Sequence, residues 1–453
     1  MRDLLLVLIV LSTLPMAFMR PMVGLWLWIG FSYMNPHRLA YGFAGGLPWV
    51  QLVAIVTLFS LLINSQQRQA IPWKPLTFLL LAFLSWTGIT TIFAVLGDAA
   101  LTKWTDFLKV QVLAFTTLIL VTDRKRLHWV LWAIVLSFGF WGAKGGLFTV
   151  MTGGSFHVMG PYGSFFRDNN QFALVMCMTL PLMRYMQLTT SSKWIYRGMW
   201  VLMILTVFSI IGTYSRGGFL GLGVIAFMLA LKSRKRVALI TAGVVLGAVV
   251  LAFMPQKYMN RMASIDQYEQ DASAQGRFDS WKFATNIALA EPFGGGFQVW
   301  ASESMWNQYG PPDVPHRAIH SIFFEVLGMH GFIGLALYLG MIGLAWKVLS
   351  RIKKLARAGP DIQWMGDLAG MLQVSLAGYL AAGAFLPMAY FELLYQMMAL
   401  VVLLQVLLQR ALAHTQTERE RAKPPPEIRP QASPATVHAK RRPDRGVHAL
   451  PHW

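Results

Sequence analysis

The chain has 453 residues, 55% of them hydrophobic and only 13% charged, and carries a formal net charge of +19. Soluble domains carry roughly 25% charge, so this chain cannot cover a water-facing surface, and soluble enzymes, disordered proteins and nucleic-acid modules are excluded as whole-chain readings. The single cysteine, Cys177, excludes an intrachain disulfide and a cysteine metal site.

A bilayer crossing needs about 20 mostly apolar residues. The first apolar region, 4–34, is broken at Arg20-Pro21 and lacks a small-residue cleavage site, so it reads as membrane segment rather than removable signal. Further spans are predicted at 48–64, 75–96, 104–122, 127–150, 169–188, 194–213, 217–231, 236–254, 320–346, 366–388 and 391–411. Trp73, Trp104, Trp129, Trp194 and Tyr258 stand near their boundaries, where amphipathic rings favour the headgroup level.

Charge orients these spans. The loops 64–74, 123–126, 184–197, 232–236 and 347–367 hold seventeen Lys and Arg; the alternating set 35–47, 97–103, 144–168 and 214–216 holds five. The basic set belongs in the cytoplasm. If 4–34 is one interrupted crossing the total is 12, the preferred count; if it is two short crossings the total is 13 and Arg2 lies outside. The expected fold is therefore all-α and polytopic, with about 12 transmembrane helices. Residues 1–254 are N-terminal transmembrane helices, 255–319 a large periplasmic loop, and 320–411 C-terminal transmembrane helices. Residues 412–453 form a basic, proline-rich tail expected to be disordered and cytoplasmic, touching anionic membrane lipid.

The loop 255–319 is far longer than most connections. Gly294-Gly295-Gly296 and Gly310-Pro311-Pro312 are turn signals in it, and the spacing of Phe278, Trp281, Phe283 and Ile287 predicts a short helix over 277–290 lying along the membrane surface. Parity gathers polar residues on this outer side: Arg167, Asp168, Asn169 and Asn170 before the span at 169, Arg216 in Tyr-Ser-Arg-Gly-Gly, Arg277 and Lys282 in the loop, and His316, Arg317, His320 and Glu325 at the entry to the span at 320. On local grounds Arg216 suits a lipid-phosphate anchor as well as an oxyanion site, in which its glycines would permit close backbone approach. Arg277 by itself reads as a solvated loop charge. His316 and His320 would share a helix face if a helix began at Pro315. Their spacing also suits a metal pair, though without a zincin pattern; a boundary histidine suits a general base better. Glu325, inside the bilayer, is either functional or hydrogen-bonded to a neighbouring helix. Cations beside a base at the outer leaflet suit departure of a diphosphate from a sugar's anomeric carbon as an acceptor hydroxyl attacks.

The runs Gly163-Ser164-Phe165-Phe166-Arg167-Asp168-Asn169-Asn170-Gln171-Phe172-Ala173, Tyr214-Ser215-Arg216-Gly217-Gly218, Gly276-Arg277-Phe278-Asp279-Ser280-Trp281 with Pro292-Phe293-Gly294-Gly295-Gly296, and His320-Ser321-Ile322-Phe323-Phe324-Glu325-Val326-Leu327-Gly328 resemble the O-antigen ligase and polymerase superfamily of bacterial inner-membrane glycosyltransferases. The first 44 residues, with Trp26-Leu27-Trp28 and Tyr33-Met34-Asn35-Pro36-His37-Arg38, look like its O-glycosylation ligases of exosortase A systems. The resemblance implies a GT-C-like membrane enzyme in the bacterial inner membrane that moves a glycan from undecaprenyl diphosphate to a protein, lipid or polysaccharide acceptor at the periplasmic face. It implies no metal and no cofactor, His320 as catalytic base, and Arg216 and Arg277 as diphosphate-binding residues. Arg167, Asn170, Lys282, His316, Arg317 and Glu325 are the remaining substrate-binding candidates. A polymerase would share the donor. A lipid-linked glycan transporter or flippase would show internal repeats and midplane charges, neither of which is evident; a structural protein would not need these cations converging.

Overall fold

The computed structural model describes residues 2–40, 42–231, 272–312 and 314–421. By contacts the chain divides into a unit Met1–Arg410 and a second unit Ala411–Trp453, the latter described only to Arg421. Among the described residues all regular structure is helical. The predicted span 236–254, the basic run 232–236, Tyr258, the loop before 272 and the tail beyond 421 lie outside them.

Among the described residues nine α-helices precede the stretch 232–271: α1 (Arg2–Met19), α2 (Pro21–Met34), α3 (Trp49–Ile63), α4 (Pro75–Ile92), α5 (Gly97–Leu120), α6 (Arg124–Met151), α7 (Asn169–Thr189), α8 (Lys193–Gly212) and α9 (Arg216–Leu231). After it come α10 (Ala272–Ala290), the short α11 (Glu303–Tyr309), α12 (Ile322–Leu355), α13 (Pro360–Gly383) and α14 (Glu392–Arg421). Among the described residues seven helices are long and apolar enough to cross a membrane: α1, α4, α6, α7, α8, α12 and α14. Their starts follow local chemistry. Asp123, Asp168, Ser192 and Ser321 cap α6, α7, α8 and α12 with side-chain oxygens. Pro21, Pro75 and Pro360 stand in the first turns of α2, α4 and α13, where a missing N–H costs nothing. α7 is the central helix: 83% of its apolar window is buried, against 17% for the peripheral α1.

The break at Arg20-Pro21 reverses the chain. The start of α1 reaches the segment after α2, where Ala44 N–H donates to Asp3 Oδ1 at 3.0 Å. Its end reaches the end of α3, where Ser60 Oγ donates to the Phe18 carbonyl at 2.7 Å and Gln67 Nε2 to the Met19 carbonyl at 3.2 Å. α1 and α2 are thus an antiparallel pair, not one interrupted rod as the preferred count of 12 supposed. Pro21 has no N–H with which to continue α1, and Arg20 is extended, with φ −132° and ψ 95°.

Two of the basic loops share one end. Arg126 donates to the carbonyls of Gln67 and Leu120 at 2.9 and 2.8 Å, and Arg410 to the Thr122 carbonyl and Gln69 Oε1 at 3.1 and 2.8 Å. Loops 64–74 and 123–126 and the last turns of α14 within Met1–Arg410 therefore share one end.

α12 is interrupted at Gly331, whose φ of 66° and ψ of −170° suit glycine alone. The carbonyls freed there find other donors, as the interior of a membrane protein demands. Gly295 and Gly296 N–H donate to Gly328 and Met329 at 3.0 and 2.9 Å, and the Trp86 indole donates to the His330 carbonyl at 2.9 Å. The predicted glycine turn of the outer loop is thus threaded into the break in α12. The helix predicted over 277–290 is α10, which packs on α12 where Gly328 leaves room for Ala284.

Candidate functional site

Four stretches that are far apart in the chain meet at the end of the bundle where α7, α9 and α12 begin. Asn169 Nδ2 donates to the Thr213 carbonyl at 2.7 Å, joining the first turn of α7 to the turn before α9. Gly217 lies against the Ala382 carbonyl, and a side chain at Gly218 would meet the Ala173 methyl, 2.6 Å away. The next residue of that turn, Gly383, lies against Ile322 in the first turn of α12. Two residues further, the Phe385 ring has the Arg277 guanidinium 5.9 Å from its centroid and the Trp281 ring 6.1 Å away. The turn 382–385 is therefore the hub against which the arginine motifs and the histidine motif pack.

His320 sits at this hub, half-buried. The Trp281 indole N–H donates to its carbonyl at 3.2 Å, and Trp281 stacks on Phe324 with centroids 5.0 Å apart and planes 8° from parallel. Arg277 lies one turn before Trp281 on the same face of α10. Burial, and then the positive charges of Arg277 and Arg317, lower the His320 pKa below the ordinary imidazole value; the Asp168 carboxylate opposes them. The net effect keeps the ring neutral at neutral pH, as proton acceptance requires. Arg317 packs against Gly276, where a side chain would meet its guanidinium, so Gly276-Arg277 and Arg317 are neighbours.

Three helix N-termini point at the same region. Side-chain oxygens of Asp168, Ser215 and Ser321 cap part of their N–H groups; the positive ends of the helix dipoles, with Arg216, Arg277 and Arg317, outnumber the single carboxylate of Asp168 in this region. Metal-ligating side chains are not concentrated there: among the described residues no three His, Cys, Asp or Glu gather.

Several expectations are corrected. Residues 314–321 are not helical, and α12 begins only at Ile322, where Ser321 Oγ accepts from Phe323 N–H at 3.3 Å. His316 and His320 therefore share no helix face; His316 is exposed while His320 turns inward. The reason is the cap at Ser321, six residues after Pro315, which fixes the start of the helix at Ile322. The glycines after Arg216 allow α9 to approach α7 and α13; the turn itself is made before them, with Tyr214 at φ 54° and Ser215 Oγ capping Gly218 N–H at 3.1 Å. Arg167 is exposed, its guanidinium 4.2 Å above the Tyr162 ring. Asn170 is tied into the α7 cap, donating to Asp168 Oδ1 at 3.1 Å. Lys282 is exposed on α10. Glu325 is buried and accepts from Ala389 N–H at 3.0 Å, the helix-to-neighbour bond considered from sequence; it also lines a cavity of about 240 Å³ with Lys103, Gln171, Trp300 and Tyr390. Asp168 and Trp281 were named from sequence without a role in the site, and Phe385 was not named at all. Asp before Asn-Asn-Gln-Phe was legible as a cap; the roles of Trp281 and Phe385 depend on distant contacts and left no local signal.

Residues 201–339 match the family model described as O-Antigen ligase. That stretch contains Arg216, Arg277, Lys282, His316, Arg317, His320 and Glu325. That stretch of the chain is thus O-antigen ligase-like, within an all-helical set of described residues in which seven helices are long and apolar enough to cross a membrane. Residues 1–191, which supply Arg167, Asp168 and Asn170, match a family of unknown function (DUF5935), so the site is assembled from both regions. No curated protein matches. Among solved structures, a chain from "Structural coordination of polymerization and crosslinking by a peptidoglycan synthase complex" aligns over 77% of this chain and 98% of its own, at 20% identity and a TM-score of 0.39. A likeness at that TM-score carries no weight for fold or function here.

Proposed function

We propose that the chain is a bacterial inner-membrane glycosyltransferase that moves a glycan from undecaprenyl diphosphate to an acceptor hydroxyl at the periplasmic face, without a metal, as do the O-glycosylation ligases of exosortase A systems it resembles. His320 takes the acceptor's proton as the acceptor oxygen forms its bond to the anomeric carbon. The bond from that carbon to the diphosphate oxygen breaks, and its electron pair leaves on the diphosphate. Arg216 and Arg277, with Arg317 and the three helix N-termini, stabilise that charge. The single observation carrying this reading is that Arg277, Arg317 and Trp281 surround His320 within the stretch that matches the ligase family.

His320→Ala, Arg216→Ala and Arg277→Ala should each abolish glycan transfer in membranes while leaving insertion intact; retained transfer in all three overturns the reading. The mass of the lipid-linked glycan that accumulates in a deletion strain separates the acceptor classes. Full-length glycan marks a ligase and single repeat units mark a polymerase. Donor retained only on the cytoplasmic leaflet would mark a flippase instead.

A further inference from the structure

A second cavity, of about 380 Å³, lies in the region that matches the family of unknown function, within the range of about 300–1,000 Å³ typical of small-ligand pockets. Tyr33, His37, Arg38, Asp106 and Ser164 line it, and Glu392 from the first turn of α14 closes it. Tyr33 is 1% exposed and His37 7%. Yet the Tyr33 hydroxyl and His37 Nδ1 find no hydrogen-bond partner among the described residues. Such atoms are rare in folded proteins and ask for an explanation; two on one cavity ask for the same one.

The wall chemistry narrows the ligand. Arg38, lodged beside Gly163 at φ +72°, only donates, while the carboxylates of Asp106 and Glu392 only accept when ionised. Tyr33 does both. Burial, with Arg38 nearby, lowers the His37 pKa to about 4, so its ring is neutral at pH 7 and pairs one donor with one acceptor. An anion would meet the Asp106 carboxylate, a cation would meet Arg38 and Lys109, and an acyl chain would leave the polar atoms unpaired. A ring of hydroxyls, each donor and acceptor at once, satisfies all of them.

Position narrows it further. This cavity shares Asp106, Val110, Phe165 and Phe391 with the 240 Å³ cavity that Glu325 lines. That one is bounded by Ala318, two residues from His320, and by Gln171, whose N–H reaches Asp168 Oδ1 at 3.4 Å. The two cavities are therefore neighbours with four wall residues in common, one reaching Tyr33 and His37 and the other reaching Ala318 beside the candidate base.

We propose that the cavity walled by Tyr33, His37, Arg38, Asp106 and Glu392 binds a sugar residue of a glycan engaged in transfer, so that the amino-terminal region is the glycan-reading half of the enzyme. This inference rests on the glycan-transfer reading. The sugar comes either from the donor's glycan or from a glycan acceptor, and the two sources are separable.

The test uses full-length protein in lipid nanodiscs and, as probe, the lipid-free oligosaccharide released by mild acid from the lipid-linked glycan of a deletion strain. Wild type should bind the probe saturably. Tyr33→Phe, His37→Gln and Asp106→Asn should each weaken binding tenfold or more, whereas Arg277→Ala should leave it within twofold. Asp106 is partly exposed and among the described residues its one ion pair is with Lys109 at 3.0 Å, so the melting temperature of that variant should stay close to wild type and is measured beside its binding. Displacement of the probe by intact lipid-linked glycan assigns the cavity to the donor; simultaneous binding assigns it to the acceptor. No binding by wild type, or equal binding by all three cavity variants, overturns the proposal. Failure of Arg277→Ala to weaken binding of the intact lipid-linked glycan overturns the transfer reading instead.

Discussion

Trp281→Phe isolates one contact at the candidate base. It removes the indole N–H that donates to the His320 carbonyl at 3.2 Å, while a phenyl ring can still stack on Phe324. Trp281 is half-buried, so water replaces part of the lost bond, and the cost lies near the low end of the range for a buried unpaired carbonyl, about 1 kcal/mol. If that energy holds residues 316–321 in the competent arrangement, the rate of transfer falls about fivefold. Trp281→Leu also removes the stack on Phe324 and the tilted contact with Phe385, worth about 0.5–1.5 kcal/mol each, and the expected loss grows to about thirty- to nine-hundredfold. The assay is the initial rate of glycan transfer from purified lipid-linked donor by enzyme in nanodiscs, beside the melting temperature of each variant. A Trp281→Phe enzyme as fast as wild type, or a Leu variant no worse than Phe, would refute the idea that this indole positions His320.

Charge around His320 gives a paired test. Arg317→Gln removes a cation that disfavours the imidazolium, so the His320 pKa rises and the acid limb of kcat/KM moves to higher pH; Asp168→Asn keeps a capping side chain but removes the opposing carboxylate, so the limb moves to lower pH. Shifts in the same direction would rule out His320 as the titrating base. Gly146→Leu should sharply reduce the yield and melting temperature of folded protein, because even a first side-chain carbon would stand 2.7 Å from the Leu205 Cα where α6 meets α8, and overpacking against backbone costs about 1–3 kcal/mol or more; an unchanged melting temperature would refute that packing. Transfer should survive EDTA, and loss restored by one specific divalent ion would point to a metal site instead.

Much of the bundle is legible in sequence because lipid imposes one rule on every span. The apolar runs at 48–64, 127–150 and 169–188 became α3, α6 and α7 nearly residue for residue, with Asp123 and Asp168 marking two starts. The reversal at Arg20-Pro21 was not legible, since a kinked rod and a hairpin share the same hydropathy; what decides it is the pairing of Asp3 with Ala44. Gly331 looked like any glycine in a membrane helix, and its break shows only once Gly295 and Gly296 are seen to occupy the carbonyls it releases. That Arg277 and His320 share one end of the bundle followed from loop parity. The inward turn of one histidine and the outward turn of the other did not, because a serine cap four residues short of Glu325 outweighed the periodic spacing.

The hairpin of α1 and α2 fixes how this protein can be handled. Arg2 stands with residues 39–44, whereas Arg410 stands with Gln69 and Thr122 at the other end of the bundle. With a bilayer around the helices, a label fused before α1 and one fused after Arg410 enter different compartments. A split reporter whose halves must meet would stay dark across those two ends, and a protease added to one side would strip only one of two tags.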